Sequence, residues 1–100
     1  MARARRLADA GRLDEALEAC RSHLKLAAPT AHAYSLLGAI HQARGDATAA
    51  ADAIRKSLYL DPDNCDALTH ALLLAARNGD AARAAALRER LDRTRPGGDA

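Results

Sequence analysis

Residues 45–62 read GDATAAADAIRKSLYLDP, and this stretch decides the fold. Gly45 and Asp46 precede an alanine-rich segment, and Asp61 and Pro62 follow it. Glycine tolerates the left-handed conformation that ends a helix, and an aspartate at a helix start accepts hydrogen bonds from unpaired backbone N–H groups. Because proline disfavours helical geometry at the residue before it, the sequence predicts a helix between Asp46 and Asp61.

The same helix-ending residue types recur at a fixed distance along the chain. Gly45 lies midway between Gly11 and Gly79, and Pro96 follows Pro62 at the same spacing. The chain has only six glycines and three prolines, so their shared frame indicates an internal repeat. A period of roughly 20 to 50 residues is the signature of stacked structural units, and this spacing falls within that range.

Composition predicts an all-α fold. Of the 100 residues, 27 are alanine and 15 are leucine, whereas valine, phenylalanine and tryptophan are absent. Alanine and leucine favour helix, and strands have little support without β-branched and aromatic residues. The period then divides the chain into a single array with a partial unit 1–30, a unit 31–64, a unit 65–98, and a flexible tail 97–100. The first helix begins only at Met1, four residues short of the others, so we expect a fragment of a longer protein.

In the middle unit, two sets of apolar or small residues recur at helical spacing. The first set is Ala33, Tyr34, Leu37, Gly38 and either Ile40 or His41, and the second is Ala50, Ala53, Ile54, Ser57, Leu58 and Leu60. Thr30 and Asp46 are the predicted caps of the two helices. Gly38 and Ala50 are small, so we expect the two helix backbones to approach each other there.

Charge and hydropathy narrow the function classes. The net charge is +2, and the only basic run is Ala-Arg-Ala-Arg-Arg at residues 2–6. With no aromatic stacking platform beside it, nucleic-acid binding has little support. No apolar run approaches about 18 residues, so we expect no membrane insertion and a cytoplasmic location. Cys20 and Cys65 are too few for a disulfide scaffold, and we expect two reduced thiols.

The recurring residues of the three units resemble the tetratricopeptide repeat, a helix–turn–helix unit of about 34 residues. The resemblance covers nearly the whole chain and is carried by Tyr34, Leu37-Gly38, Gly45-Asp46, Ala50, Ile54, Leu58, Leu60 and Asp61-Pro62. His41 and Ser57 depart from the family pattern, as do Leu72 and Arg88 in the third unit. The resemblance implies antiparallel helix pairs in a right-handed superhelix, whose first helices line a concave face that binds peptides or partner domains.

A narrower resemblance concerns Ile54-Arg-Lys-Ser-Leu-Tyr-Leu-Asp-Pro62 and the alanine- and leucine-rich unit after it. This segment looks like the C-terminal repeat region of bacterial chemotaxis-type receptor O-methyltransferases. In that family the repeats follow an S-adenosylmethionine-dependent domain, in chemosensory systems that can control biofilm formation. The resemblance implies a chemoreceptor-like or other signalling protein as the partner.

The tetratricopeptide resemblance also implies which residues contact a partner. The concave positions of the family correspond here to Arg5, Asp9, His32, Ser35, Ala39, Gln42, Asp66, Thr69, Leu73 and Arg77, together with Ala43 and Ala76. Family members that clamp a chaperone C-terminus use lysine and asparagine where this chain has Ser35, Ala39, Thr69 and Leu73. We therefore expect a different protein ligand. A purely solvated surface is the competing interpretation of this face.

Three other functions compete with protein binding. Cys20 and His23 are three residues apart, but no second pair completes a metal site. His32 and Ser35 share a helix face without a third catalytic group, so we expect neither catalysis nor a cofactor. A structural spacer or homodimerisation element remains open, because a short first helix is predicted to leave Leu13, Leu17 and Leu24 partly uncovered.

Overall fold

The computed structural model describes residues 2–94, and within this range it contains helices and no strand. The all-α prediction is therefore confirmed. The six helices are α1 (Ala2–Asp9), α2 (Leu13–Leu26), α3 (Ala31–Ala43), α4 (Ala47–Leu60), α5 (Cys65–Arg77) and α6 (Ala81–Thr94). Pro96 and the predicted tail 97–100 lie outside the described residues. No helix in the described range combines the length and apolar character needed to cross a membrane.

The helices form three pairs, each joined by a tight turn. Gly11, Gly45 and Gly79 sit in these turns with φ of 79°, 82° and 73°. This left-handed conformation strains any residue with a Cβ atom, so the repeated glycines fix the three corners. Short turns of this kind place the two helices of a pair side by side and antiparallel.

Side-chain caps start four of the helices. Thr30 Oγ1 accepts from the Ala33 N–H at 3.1 Å, and Asp46 Oδ1 accepts from the Ala49 N–H at 3.1 Å, as the sequence predicts. Asn64 and Asp80 do the same at the starts of α5 and α6. α2 has no side-chain cap, because Arg12 stands at its cap position and instead pairs with Glu15.

Within the middle pair, α3 and α4 approach each other closely at Gly38. A Cβ atom on Gly38 would lie 2.7 Å from Ile54 Cγ1 and 3.4 Å from the Ala50 carbonyl oxygen. Real Cβ atoms do not tolerate the first of these distances, so Gly38 leaves the space that Ile54 fills. Ser57 adds a polar tie between the same helices, since its buried hydroxyl donates to the Ala31 carbonyl at 2.7 Å.

Two buried clusters hold the pairs together, and the middle pair contributes to both. Leu36 and Ile40 of α3 pack with α1 and α2 in a cluster that includes Ala4, Ala16, Leu17 and Cys20. Ala50 and Ile54 of α4 pack with α5 and α6 in a cluster that includes Leu68, Leu74, Leu87 and Leu91. Arg88 and Asp92 are exposed, so α6 presents charged side chains to solvent.

Several predicted core positions behave differently in the structure. The sequence left open whether Ile40 or His41 faces the core, and both are buried. Leu60 fits the predicted core pattern but is 45% exposed, because it lies in the last turn of α4 and belongs to neither buried cluster. The expectation that Leu17 is poorly covered is wrong, since α1 and α3 enclose it to 7% exposure.

Replacing Gly38 by leucine, the residue found at the equivalent position 72, tests the close approach of α3 and α4. We expect Gly38→Leu to lower the free energy of unfolding by about 1–3 kcal/mol, because overpacking outweighs the better helix propensity of leucine. Urea unfolding followed by circular dichroism measures this. Ala43→Leu, an exposed site on the same helix, is the matched control. Equal unfolding midpoints for the two variants would contradict the packing argument.

Candidate partner-binding face

The predicted contact residues all lie on α1, α3 and α5, the first helices of the three pairs. We call the surface formed by these predicted contact residues the first-helix face. Seven of its predicted residues are exposed, namely Arg5, Asp9, His32, Asp66, Thr69, Leu73 and Arg77. Ala39 and Gln42 are half-buried. Most of the predicted set is therefore accessible to a partner.

Ser35 is the exception within the set. Its side chain is only 2% exposed, and its hydroxyl donates to the His32 carbonyl oxygen at 3.1 Å. The exposed Thr69 also uses its hydroxyl internally, donating to the Cys65 carbonyl at 2.8 Å. A partner would meet Thr69 mainly through its methyl group, and it would not reach Ser35.

A side-chain contact that the sequence did not predict joins α3 to α5. His70 Nδ1 lies 3.1 Å from Gln42 Oε1, so a neutral imidazole donates its Nδ1–H to the amide oxygen. His70 shares a helix face with Asp66, Thr69 and Leu73 through spacings of three and four residues. That spacing could have placed His70 beside the predicted residues, but it could not have identified Gln42 as its partner.

Burial controls the protonation of His70. Its partly enclosed imidazole has a pKa below the ordinary histidine value because burial penalises the cation, although the negative charge of Asp66 acts in the opposite direction. The ring is therefore mainly neutral at neutral pH, which suits its role as a hydrogen-bond donor to Gln42. The contact between Gln42 and His70 is consequently uncharged, and Asp66 is the charged residue beside it on α5.

Within the described residues, the exposed charged side chains of the face form no ion pairs with one another. Arg5, Asp9 and Arg77 are exposed, and none of them forms an ion pair within the described residues. Exposed charges of this kind contribute little to stability but can steer and orient a partner. The face offers separate cationic points at Arg5 and Arg77.

The groups considered for chemistry are occupied in structural roles. The Cys20 thiol is fully buried, points to the Ala33 carbonyl at 3.6 Å, and has a pKa raised by burial. Ser35 is bonded to the backbone of His32 and makes no hydrogen bond to its imidazole. Among residues 2–94, no group of three potential metal ligands comes together.

His41, in the last turn of α3, is more deeply buried than His70. It is 6% exposed, and its Nδ1 atom has no hydrogen-bond partner within the described part of the chain. Burial lowers its pKa, Arg21 and Arg44 lower it further, and Asp46 opposes them. A proton on this ring would place a poorly solvated cation at the junction of α3 with α2 and α4.

The fold and this face define a class of all-α proteins made of repeated helix pairs, with an exposed polar surface on the first helices. No known family profile matches the chain. No solved structure matches it.

Two curated proteins are similar to this chain in sequence. The chain is 41% identical over 88 residues to a protein of Pseudomonas putida named "Probable biofilm formation methyltransferase WspC". It has the same identity over 88 residues to the protein of that name in Pseudomonas aeruginosa. Each match covers 88% of this chain and 21% of the relative, so the chain spans about a fifth of their length. It is thus related in sequence to one part of these methyltransferases.

Acidification tests the buried His41 and the half-buried His70. Their folded-state pKa values lie below the unfolded value of about 6.5, so the unfolded chain binds protons more readily. Their stabilising contribution is complete above that pH and declines as the pH falls through it toward the folded-state values. We expect the free energy of unfolding to decrease between about pH 7 and pH 5.

The variant His41→Phe/His70→Gln should weaken that decrease, because it removes both titrating rings. Urea unfolding at a series of pH values measures the slope, and His32→Gln, a change at an exposed histidine, should leave it unaltered. A slope that is the same in the double variant and the control would contradict the assignment.

Proposed function

We propose that this chain is a protein-binding module of a bacterial methyltransferase that acts in biofilm signalling. The observation that carries this proposal is the 41% identity over 88% of the chain to two proteins named as probable biofilm formation methyltransferases. The match occupies only 21% of those relatives. We infer that the chain corresponds to a C-terminal, non-catalytic part of such an enzyme.

The helix pairs support a tetratricopeptide assignment within this proposal. Supporting features are the even spacing of Gly11, Gly45 and Gly79, the positive φ of all three, and the close approach at Gly38. In this assignment the first-helix face is the concave binding surface of the array. Chemistry then resides in another part of the enzyme, and the module acts by holding a partner next to it.

The charge pattern of the face supports a protein ligand with acidic groups. Arg5 on α1 and Arg77 on α5 are exposed cations that no carboxylate of the described residues neutralises. The contact of Gln42 with His70 adds a polar link between α3 and α5 on the same face. A chemoreceptor-like or other signalling protein with a carboxylate-bearing segment would fit this arrangement.

Charge reversal at the two arginines tests the proposed face. The tagged chain is used to capture proteins from bacterial extract, which are quantified by mass spectrometry and then tested by direct binding with the purified partner. We expect Arg5→Glu/Arg77→Glu to weaken binding about tenfold or more, since each reversal removes one attraction and adds one repulsion. Circular dichroism verifies that the variant stays helical.

The matched control is Lys25→Glu/Arg83→Glu, which makes the same change of net charge at exposed residues outside the face. Binding by this control should equal that of the unaltered chain. A partner lost equally from both variants would indicate non-specific attraction, and a partner retained by both would exclude the first-helix face.

Self-association through the first helix pair is a second candidate function, either alone or within a structural spacer. Its supporting observation is Leu26, which ends α2 and is 89% exposed, with Leu13 and Leu24 half-buried on the same helix. A second copy of the chain packed against this end of α2 would remove the Leu26 side chain from water.

If this candidate is correct, the mass of the chain measured by light scattering rises with concentration, and Leu26→Glu abolishes the rise by placing a charge in the contact. Leu73→Glu, at an exposed leucine on the first-helix face, should leave the rise intact. A constant monomeric mass over the whole concentration range would eliminate this candidate.

A further inference from the structure

Both aromatic side chains of the protein lie in one place. The chain contains two tyrosines and neither phenylalanine nor tryptophan. Tyr34 and Tyr59 line a single surface depression of about 430 Å³. We call this surface the tyrosine edge, and it is formed by Pro29, Tyr34, Arg55, Lys56, Tyr59 and Leu60.

The fold does not require these apolar groups at the surface. Tyr59 is 87% exposed and Leu60 is 45% exposed, whereas the core side of α4 is provided by other residues of that helix. The repeat supplies a direct comparison, because the positions one period before and one period after Tyr59 hold Lys25 and Arg93. Both are charged, as a solvent-exposed position favours. Tyr59 therefore departs from the repeat pattern toward a residue type that is enriched at the centres of binding interfaces.

The electrostatics of the edge favour a negatively charged ligand. Arg55 and Lys56 both line the depression, and none of the acidic residues in the described range lines it. The two cations share one carboxylate, because Asp52 lies 2.6 Å from Arg55 and 3.3 Å from Lys56. Lys56 Nζ is also 5.7 Å from the centre of the Tyr34 ring, so the charge is held beside the aromatic wall.

We propose that the tyrosine edge binds a short acidic peptide segment of a partner protein, in which an aliphatic side chain stands next to a carboxylate. The aliphatic side chain packs against the tyrosine rings and Leu60, and the carboxylate pairs with Lys56. None of these residues belongs to the first-helix face, so the edge is a second binding surface that goes beyond the proposed function. Tyrosine suits this role because its ring offers large contact area with little conformational entropy to lose.

The composition of the chain makes the test direct. Every tyrosine ring signal in an NMR spectrum comes from the proposed site, because Tyr34 and Tyr59 are the only aromatic residues besides histidine. The probe is the acetylated and amidated tetrapeptide Glu-Leu-Glu-Leu, added to the intact chain. We expect saturable shifts of both ring systems with a dissociation constant on the order of 1 mM, since a short flexible peptide loses entropy on binding.

Substitutions separate the apolar and charged parts of the site. Tyr59→Ala should weaken peptide binding about tenfold, and Tyr59→Phe should restore it, because the ring provides the contact. Lys56→Gln should weaken binding and reduce its dependence on salt. Leu73→Ala, an exposed leucine elsewhere, should bind like the unaltered chain, as should Arg5→Glu/Arg77→Glu. The last comparison keeps a failure here distinct from a failure of the first-helix face.

Four results would overturn the proposal. They are the absence of saturable ring shifts up to about 10 mM peptide, equal binding of the neutral peptide Gln-Leu-Gln-Leu, and tighter binding of a polyproline peptide. The fourth is a shift of the ring signals with protein concentration alone, accompanied by a rise in mass, which would assign the edge to a second copy of the chain. Tyr59 is too exposed for its replacement to unfold the protein, so each result is interpretable.

Discussion

The approach of α3 to α4 at Gly38 is the constraint on which the remaining architecture depends. Without a side chain at Gly38, Ile54 occupies the space against the α3 backbone while also reaching the cluster shared with α5 and α6. On the other side of the same pair, Leu36 and Ile40 close the cluster around α2. The middle pair thus contributes one helix to each of the two buried clusters.

This arrangement explains how a chain so rich in alanine holds its helices together. Alanine buries little area, so each contact contributes little, and close backbone approach must replace large side chains. Buried polar contacts add direction to this packing. Ser57 ties the end of α4 to the start of α3, and Cys20 performs a similar role between α2 and the Ala33 carbonyl. The helix positions that result determine where the exposed surfaces lie.

The sequence predicted the features that are local in the chain. The turn at Gly45, the caps at Thr30 and Asp46, and the small pair Gly38 and Ala50 follow from residue chemistry within a few positions. It did not predict features that depend on the length of a neighbouring helix. Leu60 has the right spacing for the core but is exposed in the last turn of α4, and Leu17 is covered because α1 and α3 both reach it.

The candidate surfaces divide in the same way. Helical spacing and the family resemblance placed Arg5, Asp66 and Arg77 on exposed faces, where the structure has them. Spacing could not predict that Ser35 turns inward, nor that Gln42 meets His70 across two helices. The meeting of Tyr34 with Tyr59 is also tertiary, since they belong to opposite helices of one pair and come together only when that pair closes.

The position of the middle pair between the two clusters affects the order in which parts of the molecule open. Either outer pair can separate while the opposite cluster stays packed, because each cluster contains one outer pair and one helix of the middle pair. The middle pair has packed neighbours on both sides, because α3 joins one cluster, α4 joins the other, and the two helices meet at Gly38. We therefore expect local opening to begin at the two ends, with the backbone amides of α3 and α4 the last to exchange with solvent. The slowest-exchanging part of the protein is then the part that carries the tyrosine edge.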